Sequence, residues 1–524
     1  MLARRLLCSS IPVLALACAT RTLDTASGST EEVRAAPGDA TLVMTQEGAV
    51  RGVVEGDVLV WRGIPYAAPP VGERRWRRPE PPEPRADVLQ ATTFRPVCAQ
   101  ARGHVGSEDC LYLNIYVPAA AHGRSLPVLF WIHGGGNTGG SGQSEAHLLA
   151  LSGAVVVTME YRLSNLAWIG HRGLLDEAQS LYGARTAGNY GYLDMLAALE
   201  WVKANIGAFG GSRGRLTAFG ESAGGTDIQR LLASPLSRGL VHGAVLQSSQ
   251  GVITLQNVST LAQAESSGAR LAAAIGCAQD DAAAELACLR AAPVAEILGH
   301  GAFFGATVVL DGFVFDDVPL NVYRRRGVGV PLMLTSNLQD AIVAFLDRFT
   351  MTEAEYVQAV QDAFPDIAAQ LLALYPVGAY PEPFDAWVDV LSDASFACPN
   401  RALAQIVTAG GNPAVYWGLY AHRIENDPDL ALLGAYHNQD VNFVFGEFDD
   451  LLLGGYVPTA AELQFSSDLR GYWTRFAAHG DPNGAGAVPW ARFTGAGDAF
   501  LRLDDVFVAG AGYKTQACDL LFPN

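Results

Sequence analysis

Short apolar runs alternate along this chain with stretches whose apolar residues recur every three or four positions. The runs read as strands and the stretches as helices. "LPVLFWIHGGG" (126–136) is a buried strand ending in glycines, and "GAVVVTMEYRL" (153–163) is another. "GAVLQSS" (243–249), "VPLMLTSN" (330–337) and "AVYWGLYA" (414–421) continue the series. "YLDMLAALEWVKANI" (192–206) has a helical pattern, with Leu193, Leu196, Leu199 and Ile206 among its apolar positions. Nearer the start, "VRGVVEGDVLVWRGIPYAAPP" (50–70) reads as a hairpin followed by a proline-rich turn. Strands alternating with helices predict an α/β protein with a central, mostly parallel sheet covered on both faces. Residues of about 252–331 and 345–396 are rich in Ala and Leu and read as large helical insertions over that sheet.

The first residues break the pattern. Arg4 and Arg5 precede the apolar run "LLCSSIPVLALAC", and Ala15-Leu16-Ala17 forms an A-x-A cleavage site. Residues 1–17 therefore read as a signal peptide, too short for a spanning helix. Cys18 follows directly, so a lipoprotein signal with lipidation at Cys18 is open beside simple secretion; the usual lipoprotein pattern has Leu where Ala15 stands. Residues 18–40 are small and polar and read as a disordered leader or tether. Residues 41–524 then form a single folded domain. No other apolar stretch is long enough to span a bilayer.

Composition narrows the partners. The 524-residue chain has a net charge of −18 and is half hydrophobic. It can bury a large core, and its charge argues against nucleic acid and anionic membrane surfaces. Beyond the signal lie Cys98, Cys110, Cys277, Cys288, Cys398 and Cys518. An even number in an exported chain favours disulfides, and sequential pairing is the simplest of about fifteen connectivities. A zinc site would need clustered ligands such as C-x-x-C, and the chain has no such cluster.

One stretch carries chemistry. "RLTAFGESAGGTDIQRLL" (215–232) places Ser222 in the pattern G-x-S-x-G. The pattern recurs at Ser212, so context must decide. A nucleophile elbow needs a strand running in and a helix running out. Ser222 has both: the apolar run Leu216–Phe219 before it, and Ile228, Leu231 and Leu232 at helical spacing after it. Ser212 has neither and reads as a turn residue. A serine nucleophile also needs a base, a group that orients the base and donors for the oxyanion. "WIHGGGN" (131–137) matches the HGGG-type oxyanion motif that partners G-x-S-x-G in lipases and esterases. His300, His422, His437 and His479 lie downstream as candidate bases, and the residues alone do not choose among them.

The chain resembles the type-B carboxylesterases of the cholinesterase/carboxylesterase family over nearly everything after Thr41. The carrying motifs include "WRGIPYAAPPVGERRWRRPEPP", "SEDCLYLNIYVP", "PVLFWIHGGG", "LTAFGESAGG", "GAYHNQDVNFVFG" and "YWTRFAAHGDPN". The resemblance implies an α/β-hydrolase fold and hydrolysis of a small carboxylic ester without cofactor or metal. It implies Ser222 as nucleophile, His437 as base, and backbone N–H groups of Gly135, Gly136 and Ala223 as the oxyanion hole. It also implies the pairs Cys98–Cys110, Cys277–Cys288 and Cys398–Cys518.

The acid departs from the family pattern, which has a glutamate, less often an aspartate, usually followed by glycine. Here "TSNLQDAIVAF" offers Asp340 with Ala341 after it, and Asp347 as the alternative. Asp440 matches an acidic position that supports the site. A lipase, thioesterase or amidase could run on the same machinery. Non-catalytic binding relatives lack the nucleophile that is present here. Cholinesterases of the family hold a quaternary ammonium on an indole carried by the loop of the first disulfide. The matching loop, "AQARGHVGSED" (99–109), has no aromatic residue.

Overall fold

Alternate residues of the apolar strands point to opposite faces of one sheet, and two hydrophobic cores result. Val128, Phe130, Ile132, Val155, Val157 and Leu246 pack into the first core. Leu129, Trp131, Val156, Phe219, Val245 and Met333 pack into the second. The structure is a computed structural model, which describes residues 39–101, 105–121, 123–300, 307–346, 349–449, 451–495 and 497–523. The signal segment, Cys18, the leader up to residue 38, and Asp347 lie outside the described residues.

Among the described residues the main sheet has eleven strands. They are β1 (Val53–Glu55), β2 (Val58–Pro65), β3 (Tyr112–Pro118), β4 (Leu126–Ile132), β5 (Val155–Met159), β6 (Gly211–Glu221), β7 (Gly243–Gln247), β8 (Leu332–Asn337), β9 (Val415–Tyr420), β10 (Ala499–Leu503) and β11 (Val508–Ala511). Their spatial order is β11-β10-β9-β8-β7-β6-β4-β5-β3-β2-β1. From β5 through β10 neighbouring strands are parallel. Antiparallel strands finish both ends.

Five helices matter for the site: α1 (Tyr190–Asn205), α2 (Ala223–Leu231), α3 (Cys398–Ala409), α4 (Gln439–Phe445) and α5 (Ala460–His479). Leu196, Leu199, Ile228, Leu231, Leu403 and Val407 bring the first three to the first core. Leu469, Trp473 and Phe476 bring α5 to the second. Full burial of side chains of this size contributes about 1.5–3 kcal/mol each, before the entropy of ordering them. The sheet is thus covered on both faces, as the alternation of strands and helices predicts.

The hairpin expected at 50–70 is β1 and β2, joined by Gly56 and Asp57. The regions read as insertions are helical, with one addition: Val258–Thr260 pairs in parallel with Val308–Leu310. Ile206 lies just beyond α1, in a 3₁₀ turn.

Candidate active site

β6 runs into Ser222 and α2 runs out of it. Ser222 takes φ 55° and ψ −122°, a conformation that a non-glycine residue rarely adopts. Its N–H donates to the carbonyl of Gln247 (2.9 Å). The flanking glycines have a steric cause. A Cβ on Gly220 would stand 2.7 Å from both the Gly224 carbonyl carbon and the Ile132 oxygen. A Cβ on Gly224 would collide with the carbonyl oxygen of Ile132. Helix and strand approach so closely that only glycine fits, and the serine is pushed out at the turn.

The glycine loop after β4 lies beside this turn. Gly135 and Gly136 have φ of 101° and 65°. Among the described residues, the N–H groups of Gly135, Gly136 and Ala223 make no hydrogen bond to the protein. The loop is held from behind by His133, which stacks on Tyr161 at 4.4 Å. Tyr161 Oη donates to the His133 carbonyl (2.9 Å). Burial lowers the His133 pKa to about 4, so its ring is neutral.

His437 sits at the entry to α4, next to Asn438 in the left-handed region (φ 72°). Its Nδ1 is 2.8 Å from Asp340 Oδ1. The other oxygen of Asp340 accepts from Ser248 Oγ (2.9 Å) and from the Asn337 N–H (2.8 Å). Asp340 opens a 3₁₀ turn after β8 and is buried. Two donors therefore hold this short carboxylate against the ring. Asp440 stands behind them: it accepts from Gln247 Nε2 (2.7 Å) and Asn337 Nδ2 (3.2 Å). Asn337 joins the two acids, one through its backbone and one through its side chain.

On its other side His437 meets Glu221, whose Oε1 lies 3.1 Å from Nε2. This contact lacks hydrogen-bond geometry, and Glu221 Oε1 has no hydrogen-bond partner among the described residues. Burial raises the Glu221 pKa to about 8. Burial also raises Asp440 to about 6. For His437, burial opposes the charged form, but Glu221, Asp340 and Asp440 outweigh it and raise the ring to about 9.

Ser222 and His437 share the wall of a cavity of about 670 Å³, together with Trp131, Glu221 and Phe445. No Ser222–His437 hydrogen bond is formed in this arrangement. Such bonds are often open in unliganded sites and tighten with substrate. A second cavity, of about 340 Å³, also reaches Ser222 and Gly136 and is lined by Ala223 and Arg230, among others.

A model of the carboxylesterase family matches residues 39–521 of this chain. The chain belongs to the carboxylesterase family. It is therefore a carboxylic ester hydrolase with the α/β-hydrolase fold. It is 33% identical over 475 residues to fumonisin B1 esterase of Sphingopyxis macrogoltabida, covering 87% of this chain and 85% of that one. It is 30% identical over 508 residues to para-nitrobenzyl esterase of Bacillus subtilis, covering 92% and 99%. A solved structure of a PNB esterase matches it with a TM-score of 0.77 at 29% identity, over 92% of this chain and all of the other.

In this carboxylesterase the three sequential disulfides are formed, with Cα–Cα distances of 4.9 Å for Cys98–Cys110, 5.5 Å for Cys277–Cys288 and 4.9 Å for Cys398–Cys518. Ser212 is not in a turn. It lies in β6, where residues 212–215 bulge opposite Pro127, at the end of the strand far from Ser222. His422 is buried between Glu462 (3.2 Å) and Asp505 (2.8 Å). It does not line either cavity at Ser222, and neither do His300 and His479. Sequence reasoning missed Glu221 as a partner of His437. The available signal was a carboxylate next to the serine, at the buried end of a strand that runs in through Leu216–Phe219.

Proposed function

We propose that this carboxylesterase works through Ser222 as nucleophile, His437 as general base and Asp340 as the acid that orients it. The observation that carries the reading is His437, bonded at Nδ1 to buried Asp340 and lining the same cavity as Ser222. A carboxylate only accepts, so the proton of the neutral ring stays on Nδ1 and leaves Nε2 basic.

Ser222 Oγ attacks the ester carbonyl as His437 Nε2 takes its proton. The oxyanion is met by the N–H groups of Gly135, Gly136 and Ala223. His437 then protonates the leaving alcohol, and water repeats the sequence on the acyl-enzyme. The unbonded state of those three donors supports their role. Relatives named for esters, para-nitrobenzyl esterase among them, support the substrate class.

We also read residues 41–524 as one catalytic domain behind an export signal, with release at Ala17 or lipidation at Cys18. The disulfides support an oxidising destination. An acyl-length series of para-nitrophenyl esters, run with and without an organophosphate, tests the catalytic reading. Turnover that survives complete labelling of Ser222 would sink it.

A further inference from the structure

β4 and β5 are parallel neighbours, and the pairing of Ile132 with Met159 closes both. The residues that follow, His133 and Glu160, therefore emerge side by side. Both are buried, at 3% and 2% exposure. His133 Nε2 and Glu160 Oε2 stand 3.9 Å apart. Among the described residues neither atom makes a hydrogen bond. Neither residue has a part in the triad chemistry.

The other polar atoms of the two side chains are committed. His133 Nδ1 is 2.8 Å from the Gly134 carbonyl. A carbonyl only accepts, so Nδ1 carries the proton and the neutral ring presents a lone pair at Nε2. Glu160 Oε1 accepts from Ser141 Oγ and from the Gly142 N–H, both at 2.9 Å. The Cys98 N–H also approaches this carboxylate. Glu160 thus touches both ends of the loop that carries Gly135 and Gly136: His133 where it leaves β4, and Ser141 and Gly142 where it returns. The two ends also meet directly, since a Cβ on Gly140 would collide with the Gly134 oxygen and with His133 Nδ1.

An ionised Glu160 would set one buried lone pair against another and leave both without a donor. A protonated Glu160 removes the conflict. Its O–H at Oε2 donates to His133 Nε2 once the gap closes by about 1 Å. Burial acts in the same direction, raising Glu160 to about 7 and lowering His133 to about 4. The neighbouring groups leave that proton in place. Tyr66 donates to the Glu160 carbonyl (2.7 Å) and Tyr161 stacks on His133, and burial holds both well above the usual tyrosine range, so they are neutral. Asp227, which acts on Tyr161, is itself raised to about 7. Arg162 is tied to Asp194 by two bonds of 2.7 Å. Glu221 approaches Gly134 and shares the larger cavity with His133, and burial raises it to about 8.

We propose that Glu160 is a positioning residue of the oxyanion loop and works as the protonated acid, donating from Oε2 to His133 Nε2 while Oε1 holds Ser141 and Gly142. The inference rests on the reading of Gly135 and Gly136 as oxyanion donors. One proton then closes the base of the loop. When it is lost, two acceptors face each other and part, and the N–H groups that must be in place for the oxyanion lose their fixed position.

The test compares wild type, Glu160→Gln and Glu160→Leu on one para-nitrophenyl ester. Glutamine reproduces the acid, with an amide donor toward Nε2 and a carbonyl toward Ser141 and Gly142. Leucine supplies neither. Glu160→Leu should lower kcat roughly tenfold or more, with KM within roughly threefold. It should weaken inhibition by a trifluoromethyl ketone, whose serine adduct carries an oxyanion, by a similar factor. Glu160→Gln should recover most of both losses. Glutamine does not titrate, so the ratio of kcat for Glu160→Gln to kcat for wild type should rise as pH is raised through about 7 and beyond. The titration of His437 is common to both enzymes and cancels. A flat ratio overturns the proposal. So does a Glu160→Gln enzyme that is as impaired as Glu160→Leu or does not fold, because the charge and not the proton is then what the site needs. If Glu160→Leu does not fold, the pH ratio decides alone. Unchanged kcat in Glu160→Leu, or lost kcat with unchanged ketone affinity, defeats this inference and leaves the triad standing. A trifluoromethyl ketone that inhibits wild type no better than the matching methyl ketone defeats the oxyanion reading itself.

Discussion

His437 Nδ1 and Asp340 Oδ1 lie 2.8 Å apart although 97 positions separate them in the chain. One comes from the loop before α4 and the other from the turn after β8. Asp340 lacks the extra methylene of a glutamate, and the contact is still made, because Ser248 and the Asn337 N–H hold the carboxylate in place.

Asp340→Asn should lower kcat by about 10⁴-fold, because an amide at this position favours the wrong histidine tautomer. Asp440→Asn should cost less than tenfold, since Asp440 touches Gln247 and Asn337 and not the ring. Steady-state kinetics on one activated ester, with Asp347→Asn as the third variant, decides. Near-normal activity in Asp340→Asn with collapse in Asp347→Asn would reassign the acid.

Ser222→Ala should lose several orders of magnitude in turnover and keep a residue of catalysis from the oxyanion donors. Peptide mapping after organophosphate treatment should find the label on Ser222 alone. A label on Ser212 would contradict its place at the far end of β6.

The pH profile should be displaced to the alkaline side. Only neutral His437 accepts a proton, and nearby carboxylates raise its pKa to about 9, above its ordinary value of 6.5. The ascending limb of kcat/KM should therefore lie above pH 7. Glu221→Gln removes a negative charge 3.1 Å from Nε2, which weakens the imidazolium and moves that limb to lower pH. A limb that stays in place in Glu221→Gln would show that Glu221 does not set the titration.

Removing Cys398–Cys518, which spans 120 positions, should destabilise the fold more than removing Cys277–Cys288, which spans 11. The chain-entropy model puts the larger loss at about 5 kcal/mol, as an upper figure. Denaturant midpoints of the paired Cys→Ala variants give the order, and equal midpoints would refute the loop-length argument.

Choline esters should be no better than neutral thioesters of the same acyl group. No described residue of the Cys98–Cys110 loop lines the larger cavity, and the loop has no indole. A cation–π contact is worth up to about 2 kcal/mol when desolvated, so its absence is measurable. A kcat/KM ratio well above ten for acetylthiocholine over a neutral thioacetate would assign the cation site to another aromatic of the cavity.

What the sequence determines here is local. Ser222 is legible because a strand, a tight turn and a helix lie consecutively in the chain, and the two glycines beside it answer a steric need within that same unit. The strands from β4 to β9 are legible where burial on both faces makes apolar runs of them; the first half of β6, "GSRGR", is partly exposed and carries no such run. The outer strands β10 and β11 are not: β11 reads "VAGA" and is largely exposed, so no apolar period marks it. Family resemblance, not spacing, singled out His437, Asp340 and the long disulfide. Only the tertiary structure puts β6 between β4 and β7, sets Glu221 against His437, and divides the space at Ser222 into an aromatic cavity and a polar one. These are relations between segments far apart in the chain. Such contacts depend on how the sheet is ordered and packed, and a local pattern of apolar and polar residues carries no record of that.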